Sequence, residues 1–169
     1  MAREFDIAIV GGGLVGLMLA NLVAARATKR RVRIALIEAR AARTFDPDVP
    51  GLRVSAVSVA SQRLFEELGC WDAIAAVRAS PYREMRVWDA AGEGDIHFDA
   101  AEIGEPVLGH ILENDLMQWT LDTHLSTKSK AIRFQPAALE SLTVTDRTAL
   151  LTLDDGSTLA ASLVAVSYT

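Results

Sequence analysis

The sequence predicts an α/β fold, a βαβ unit at the N-terminus joined to a β-meander over about 139–166. Three observations predict it. A short apolar segment, Phe5 to Val10, runs through three consecutive glycines into a longer apolar segment ending near Arg26. A second short segment rich in β-branched residues, Val32 to Ile37, follows it. From Leu139 onward, period-two alternation takes over.

Each element has its own local signal. Phe5 to Val10 is short and continuously apolar, as a buried strand is. Leu14 to about Arg26 is apolar nearly all round, which predicts a helix buried on all sides. Val32 to Ile37 predicts a second strand. Arg40 to Pro50, with Pro47, Pro50 and Gly51, predicts a loop. Ser58 to Leu68 predicts a helix with Val59, Leu64, Phe65 and Leu68 as its apolar stripe and Gly69 as its stop. Met85–Asp89 and Asp95–Asp99 flank an Ala-Ala-Gly-Glu-Gly turn and predict a hairpin. Glu113 to Leu125 predicts a helix with Leu116, Met117, Leu121 and Leu125 on one side. Leu142 and Val144, then Leu151 and Leu153, then Thr158 to Val166 predict the three strands of the meander, with Asp155-Gly156 as a turn. No repeat, low-complexity tract or clear linker interrupts the chain, so one body with a β-rich flank is expected rather than two domains.

Composition narrows the function classes. The chain has 169 residues, 50% hydrophobic and 23% charged, and a formal net charge of −5. That is the make-up of an ordinary globular protein, and the length suits about one domain. An acidic chain has no electrostatic reason to seek nucleic acid. The basic cluster Arg26, Lys29, Arg30, Arg31 and Arg33 reads as a solvated helix end and loop, where cations favour the negative end of the helix dipole. Cys70 is the sole cysteine, which rules out an intrachain disulfide and a thiolate metal site and fits a reducing, cytoplasmic compartment. It lies at a predicted helix end and reads as a packed small residue. The run Ile7 to Ala25 is long enough to suggest a membrane span. Gly11, Gly12 and Gly13 inside it, and the acidic Glu4 and Asp6 before it, favour strand, turn and helix instead.

The chemistry sits in that turn. Gly11-Gly-Gly13-Leu-Val-Gly16 is a GxGxxG motif, and it lies where the motif has meaning, between a strand and the helix it opens. Gly11 permits the tight turn, Gly13 lets backbone approach a pyrophosphate, and Gly16 lets helix pack closely on strand. Leu14 and Val15 belong to the same helix start, whose free N–H groups and partial positive charge attract an anion. Glu38 follows the second strand, 22 residues after Gly16. A carboxylate there accepts hydrogen bonds from a ribose diol and would repel a 2′-phosphate. Arg40 lies beside it. These features predict a Rossmann-like unit that binds an adenine dinucleotide, and leave FAD and NAD both open.

The next segment carries a resemblance. Arg53-Val-Ser-Ala-Val-Ser-Val-Ala-Ser-Gln-Arg-Leu-Phe-Glu-Glu-Leu-Gly69-Cys-Trp resembles the stretch after the βαβ unit in class A flavoprotein monooxygenases. It is most similar to the ubiquinone-biosynthesis hydroxylases, in which R-x-S-A and then a helix ending in L-G-x-W recur. The resemblance implies FAD as cofactor, with Arg53 approaching it; a guanidinium is always charged and can bridge phosphate oxygens. Ile111-Leu-Glu-Asn114-Asp-Leu-Met117-Gln-Trp-Thr-Leu121 is similar to a helix start in the same family, and implies that Asn114 contacts the diphosphate–ribityl region. By residue type alone, Asn114 also suits an N-cap.

In the complete family, NAD(P)H reduces the flavin, which with oxygen hydroxylates an aromatic ring, a polyprenylated phenol or quinol in the ubiquinone branch. The resemblance therefore implies a small-molecule aromatic or quinol substrate and peripheral association with the inner membrane or a biosynthetic complex. It runs from Phe5 to about Ala165. There the family continues into an Asp-Gly motif, whereas this chain reads Val166-Ser-Tyr-Thr169. A truncated or frame-shifted end is the expectation, with the substrate domain absent and the fold incomplete relative to the family. No catalytic residue is assigned. His97, His110 and His124 match no metal-ligand spacing. Three readings stay open: part of an FAD-dependent hydroxylase inactive by itself, a non-catalytic FAD- or ADP-binding module, and an NAD-dependent dehydrogenase domain. Exposed apolar sheet edges predict a homodimer.

Overall fold

A computed structural model describes residues 2–27, 32–41 and 44–167. In chain order its elements are β1 (Arg3–Val10), α1 (Leu14–Arg26), β2 (Ile34–Ile37), β3 (Val54–Ser58), α2 (Val59–Glu67), α3 (Trp71–Val77), β4 (Ser80–Tyr82), β5 (Glu84–Trp88), β6 (Asp95–Asp99), a 3-10 turn (Ala100–Ile103), β7 (Gly109–Glu113), α4 (Asn114–Lys128), β8 (Ile132–Phe134), β9 (Leu139–Val144), β10 (Ala149–Leu153) and β11 (Thr158–Val166). They fall into two units, Met1–Phe45 with Gln118–Thr169, and Asp46–Met117.

The first unit is a six-stranded sheet in the order β8-β2-β1-β11-β10-β9. β8, β2, β1 and β11 run parallel, with Ile7 paired to both Ile34 and Leu163; β10 and β9 add on antiparallel. The predicted meander forms as expected, but it is no flank. β11 lies directly against β1, so the meander supplies half of the central sheet. The pairing joins residues more than 150 positions apart, which alternation along one strand cannot reveal. β8 was not foreseen either, because three half-buried residues carry too little pattern. All four residues of β2 are buried, as a parallel strand covered on both faces requires. Phe5, Ala8, Val10, Ala35, Ile37, Leu151, Leu153 and Leu159 form a single buried apolar cluster.

α1 has the predicted bounds but not the predicted burial. Gly16, Leu17, Ala20 and Asn21 are buried, while Val15 is 68% exposed. The helix thus packs on one face against β1 and β2. Asn21 secures it. Its Nδ2 donates to Leu17 O at 2.8 Å and Leu121 O at 3.0 Å, and its Oδ1 lies 2.7 Å from His124 Nδ1. A buried amide needs such partners. Of the basic cluster, Arg26 is exposed in the last turn of α1 and Arg33 lies beside Glu4 and Asp6; Lys29, Arg30 and Arg31 lie outside the described residues. No helix among the described residues is long and apolar enough to cross a membrane.

The second unit holds a three-stranded sheet, β3-β7-β4, and the β5–β6 hairpin. The hairpin is where the sequence put it, pairing Met85 with Phe98 and Val87 with Ile96. α2 begins at Ser58, whose side chain accepts from Ser61 N at 3.3 Å, and ends at Gly69 with φ +69°. Gly69 N donates to Glu66 O and Cys70 N to Phe65 O, the paired closure that a left-handed glycine allows. Cys70 is buried 2% exposed, and burial pushes its thiol pKa up; it starts α3, a helix the composition did not announce. β3, β4 and β7 were also unforeseen. Val54 to Ser58 is a strand through its pairing with β7, Val54 to Glu113 through Ser58 to Gly109. In α4, Leu116, Met117, Leu121 and Leu125 are each at most 1% exposed, as the stripe predicted.

Candidate functional site: a bare glycine turn and a gripped arginine segment

In the first unit the turn after β1 brings the motif residues together. Gly11 has φ +108°, a conformation closed to most side chains, and its N–H donates to Ile37 O at 2.8 Å. A Cβ on Gly16 would lie 1.9 Å from Gly11 O, so this glycine is what lets α1 come down on the turn. Gly13 differs. It is the N-cap of α1, no side chain caps the helix, and a Cβ there would meet nothing within 4 Å. The protein itself leaves that space open. The N–H groups of the helix start border it, where Leu14 is half-buried and Val15 exposed, and such a start has the free donors and partial charge that suit an anion.

Glu38 sits against the same turn. Its Oε2 accepts from Gly12 N at 2.6 Å and its Oε1 from Arg40 N at 2.8 Å. Its backbone is held by Phe134 O and Ala137 N. A carboxylate offers about four acceptor positions, so lone pairs remain for a diol. Arg40 is exposed, and its carbonyl accepts from Gln135 Nε2 at 2.8 Å.

Two residues of this cluster escaped the sequence reading. Gly12 was given no role, yet a Cβ there would lie 2.8 Å from Glu38 Cβ; it is the residue that admits the acid. Gln118 Nε2 donates to Gly12 O at 3.1 Å. The tripled glycine, one more than the motif needs, was a usable signal for the first. Nothing local marked the second.

Arg53 and Asn114 lie in the second unit. Arg53 is exposed, and its carbonyl accepts from Asn114 N at 2.9 Å. Asn114 opens α4. Its Oδ1 accepts from Ser55 Oγ at 2.7 Å, which turns the amide Nδ2 into the group left to donate. Beside it, Glu113 is buried, 6% exposed. Arg78 forms a two-pronged ion pair with it, and Gly51 N donates to its Oε2 at 2.7 Å. The Arg78 guanidinium, helped by Gly51 N–H, holds the Glu113 carboxyl below the usual glutamate range, and Glu113 in turn raises Arg78.

The residues present fit an adenine dinucleotide: a cradle that a Cβ would fill, an uncapped helix start and an acid anchored at the turn. A family model described as an FAD binding domain matches residues 4–155. The chain is 37% identical over 160 residues to the 3-demethoxyubiquinol 3-hydroxylase of Escherichia coli, covering 94% of this chain and 40% of that protein. It is 35% identical to the mitochondrial ubiquinone biosynthesis monooxygenase COQ6 of Danio rerio, covering 78% and 27%, and 33% identical to the ubiquinone hydroxylase UbiL of Rhodospirillum rubrum, covering 94% and 36%. Among solved structures it resembles the p-nitrophenol 4-monooxygenase PnpA of Pseudomonas putida, with a TM-score of 0.72 at 20% identity over 99% of this chain and 41% of that one. That last likeness is one of fold. The chain therefore spans well under half the length of these relatives, and the family match decides between the two cofactors that the glycine motif left open.

Proposed function

This chain belongs to the FAD-binding domain family, and from that membership we propose that residues 1–169 serve as the FAD-binding portion of a monooxygenase that hydroxylates an aromatic ring, as in ubiquinone biosynthesis. The observation that carries the reading is Gly13, a position with open space where the fold itself would tolerate a side chain.

The chain's own residues then have distinct tasks. The N–H groups from Gly13 to Gly16 at the start of α1 receive the pyrophosphate, assisted by the helix dipole. Glu38 accepts from the ribose diol while the Gly12 N–H holds its carboxylate aimed at the turn. Arg40 stands beside Glu38 as a further cofactor contact. Arg53 offers a permanent positive charge to a phosphate oxygen. Asn114 donates through Nδ2, its oxygen being turned to Ser55. Bound FAD supplies the redox chemistry, with NAD(P)H as reductant and oxygen as co-substrate; the protein orients and shields it.

The relatives' names concern ubiquinone, so a polyprenylated phenol or quinol is the proposed substrate. Work at the cytoplasmic face of the inner membrane, alone or in a biosynthetic complex, follows from so apolar a molecule. Homodimerisation is proposed through the β9 edge, where Val144 is 72% exposed; a monodisperse monomer in light scattering would count against it.

The central test is an FAD titration of the parent chain and of Gly13→Val. The parent should bind FAD, and the variant should lose at least a hundredfold in affinity. Equal binding by both would overturn the assignment.

A further inference from the structure

Resting on the reading of this chain as FAD-binding, we propose that Glu113 and Arg78 are positioning residues that hold the Pro47–Gly51 loop and thereby set Arg53 for its phosphate contact. The geometry is specific. Three alternate residues, Gly51, Arg53 and Ser55, are gripped by two consecutive ones. Glu113 takes Gly51 N–H through its carboxylate, at 2.7 Å. Asn114 takes Arg53 O through its backbone N–H, at 2.9 Å. Asn114 Oδ1 takes Ser55 Oγ at 2.7 Å. Arg78 completes the clamp from α3's end, pairing with both Glu113 oxygens and donating through Nη1 to Pro47 O at 2.7 Å.

The chemistry of the pair explains why it is ionic. A buried carboxylate needs a charged, hydrogen-bonded partner, and breaking such a pair costs far more than its formation contributes. Guanidinium binds a carboxylate with two parallel bonds, which fixes orientation as well as distance. A Cβ on Gly51 would press to 3.1 Å from Glu113 Oε2, so the carboxylate would have to give by a few tenths of an ångström. Meanwhile Arg53 itself is exposed and has no ion-pair partner among the described residues. Its carbonyl is held by Asn114 N–H, and Gly51 and Ser55 on either side of it are held by Glu113 and Asn114. That is the arrangement of a group kept for a ligand.

A purely structural ion pair would raise the same contacts but would not act through Arg53, and a double-mutant cycle separates the two. FAD affinity is measured for the parent chain, Glu113→Gln, Arg53→Ala and the double variant, together with hydrogen exchange of the 46–53 segment without cofactor. Glu113→Gln should weaken FAD about tenfold and speed exchange at Gly51. In the Arg53→Ala background it should weaken FAD less than twofold further. Unchanged affinity in Glu113→Gln, or full additivity with Arg53→Ala, overturns the proposal. If Glu113→Gln does not fold, Arg78→Lys, which keeps the charge and loses the fork, takes its place with the same expected pattern. If the parent chain binds no FAD, the FAD reading itself fails; the clamp is then judged by exchange alone, and unaltered exchange at Gly51 overturns it as well.

Discussion

The glycine turn of the first unit and the Gly51–Ser55 segment of the second, the two segments proposed to meet the cofactor, are built by opposite means. At the turn, the work is done by atoms that are missing. Gly12 makes room for Glu38, Gly16 for Gly11 O, and Gly13 for nothing in the protein. At the second segment, the work is done by side chains that are present: Glu113, Arg78, Asn114 and Ser55 close on the backbone around Arg53. The difference teaches that preorganisation has two forms. Backbone donors need only be uncovered, whereas a long cationic side chain must have its base held still before its charge is useful.

That contrast can be broken from the turn side first. Gly16→Ala should produce the largest effect, because a Cβ 1.9 Å from a carbonyl oxygen forces α1 off the turn; destabilisation of about 3 kcal/mol is expected, at the upper end of overpacking costs, read by urea unfolding. Gly13→Val comes next and behaves in the reverse way. FAD affinity should fall at least a hundredfold, about 2.7 kcal/mol, while stability changes by less than about 1 kcal/mol, since only the helix-cap preference of glycine is lost. If both variants lost stability alike, the distinction between a glycine kept for the fold and one kept for the ligand would vanish.

Smaller effects sharpen the comparison. Glu38→Gln retains the shape but weakens the charge-assisted bond to Gly12 N–H and to a diol, so FAD affinity should fall about tenfold, near 1.4 kcal/mol. Fluorescence titration checks it, and an unchanged affinity would mean that the acid serves only the turn. Ser58→Ala, which removes the cap of α2 beside the β3 strand, should cost about 0.5–1 kcal/mol in thermal unfolding. It should leave FAD affinity unaltered, because the grip on Arg53 comes from Glu113 and Asn114 and not from α2.

The sequence was most legible where the determinants are neighbours. Leu14 to Arg26, the Gly69 stop, the Met85–Asp99 hairpin and the apolar stripe of α4 all lie in windows of a few turns, and each stands as read. The burial of α1 was overread, because a uniformly apolar composition does not say how many sides a helix will cover. The residues proposed to hold the cofactor divide in the same way. The structure gathers Gly11, Gly13, Leu14, Val15, Gly16, Glu38 and Arg40 around one turn, since a strand, a helix and a strand return the chain to its starting edge. For Arg53 and Asn114, residue type and resemblance named the positions, but the strand pair that joins them left no local trace.

What the sequence determined by itself was the dinucleotide motif, the elements with strong period or strong stops, and the acid that follows the second strand. All are encoded in short-range spacing, and the physics that reads them is the steric freedom of glycine and the repeat of an apolar stripe. Only the tertiary structure decided that β11 lies against β1, that β3 is a strand at all, and that Glu113 reaches back over sixty residues to Gly51. Those outcomes depend on hydrogen bonds and charges meeting across the fold, where neither partner carries a mark of the other until the chain has closed.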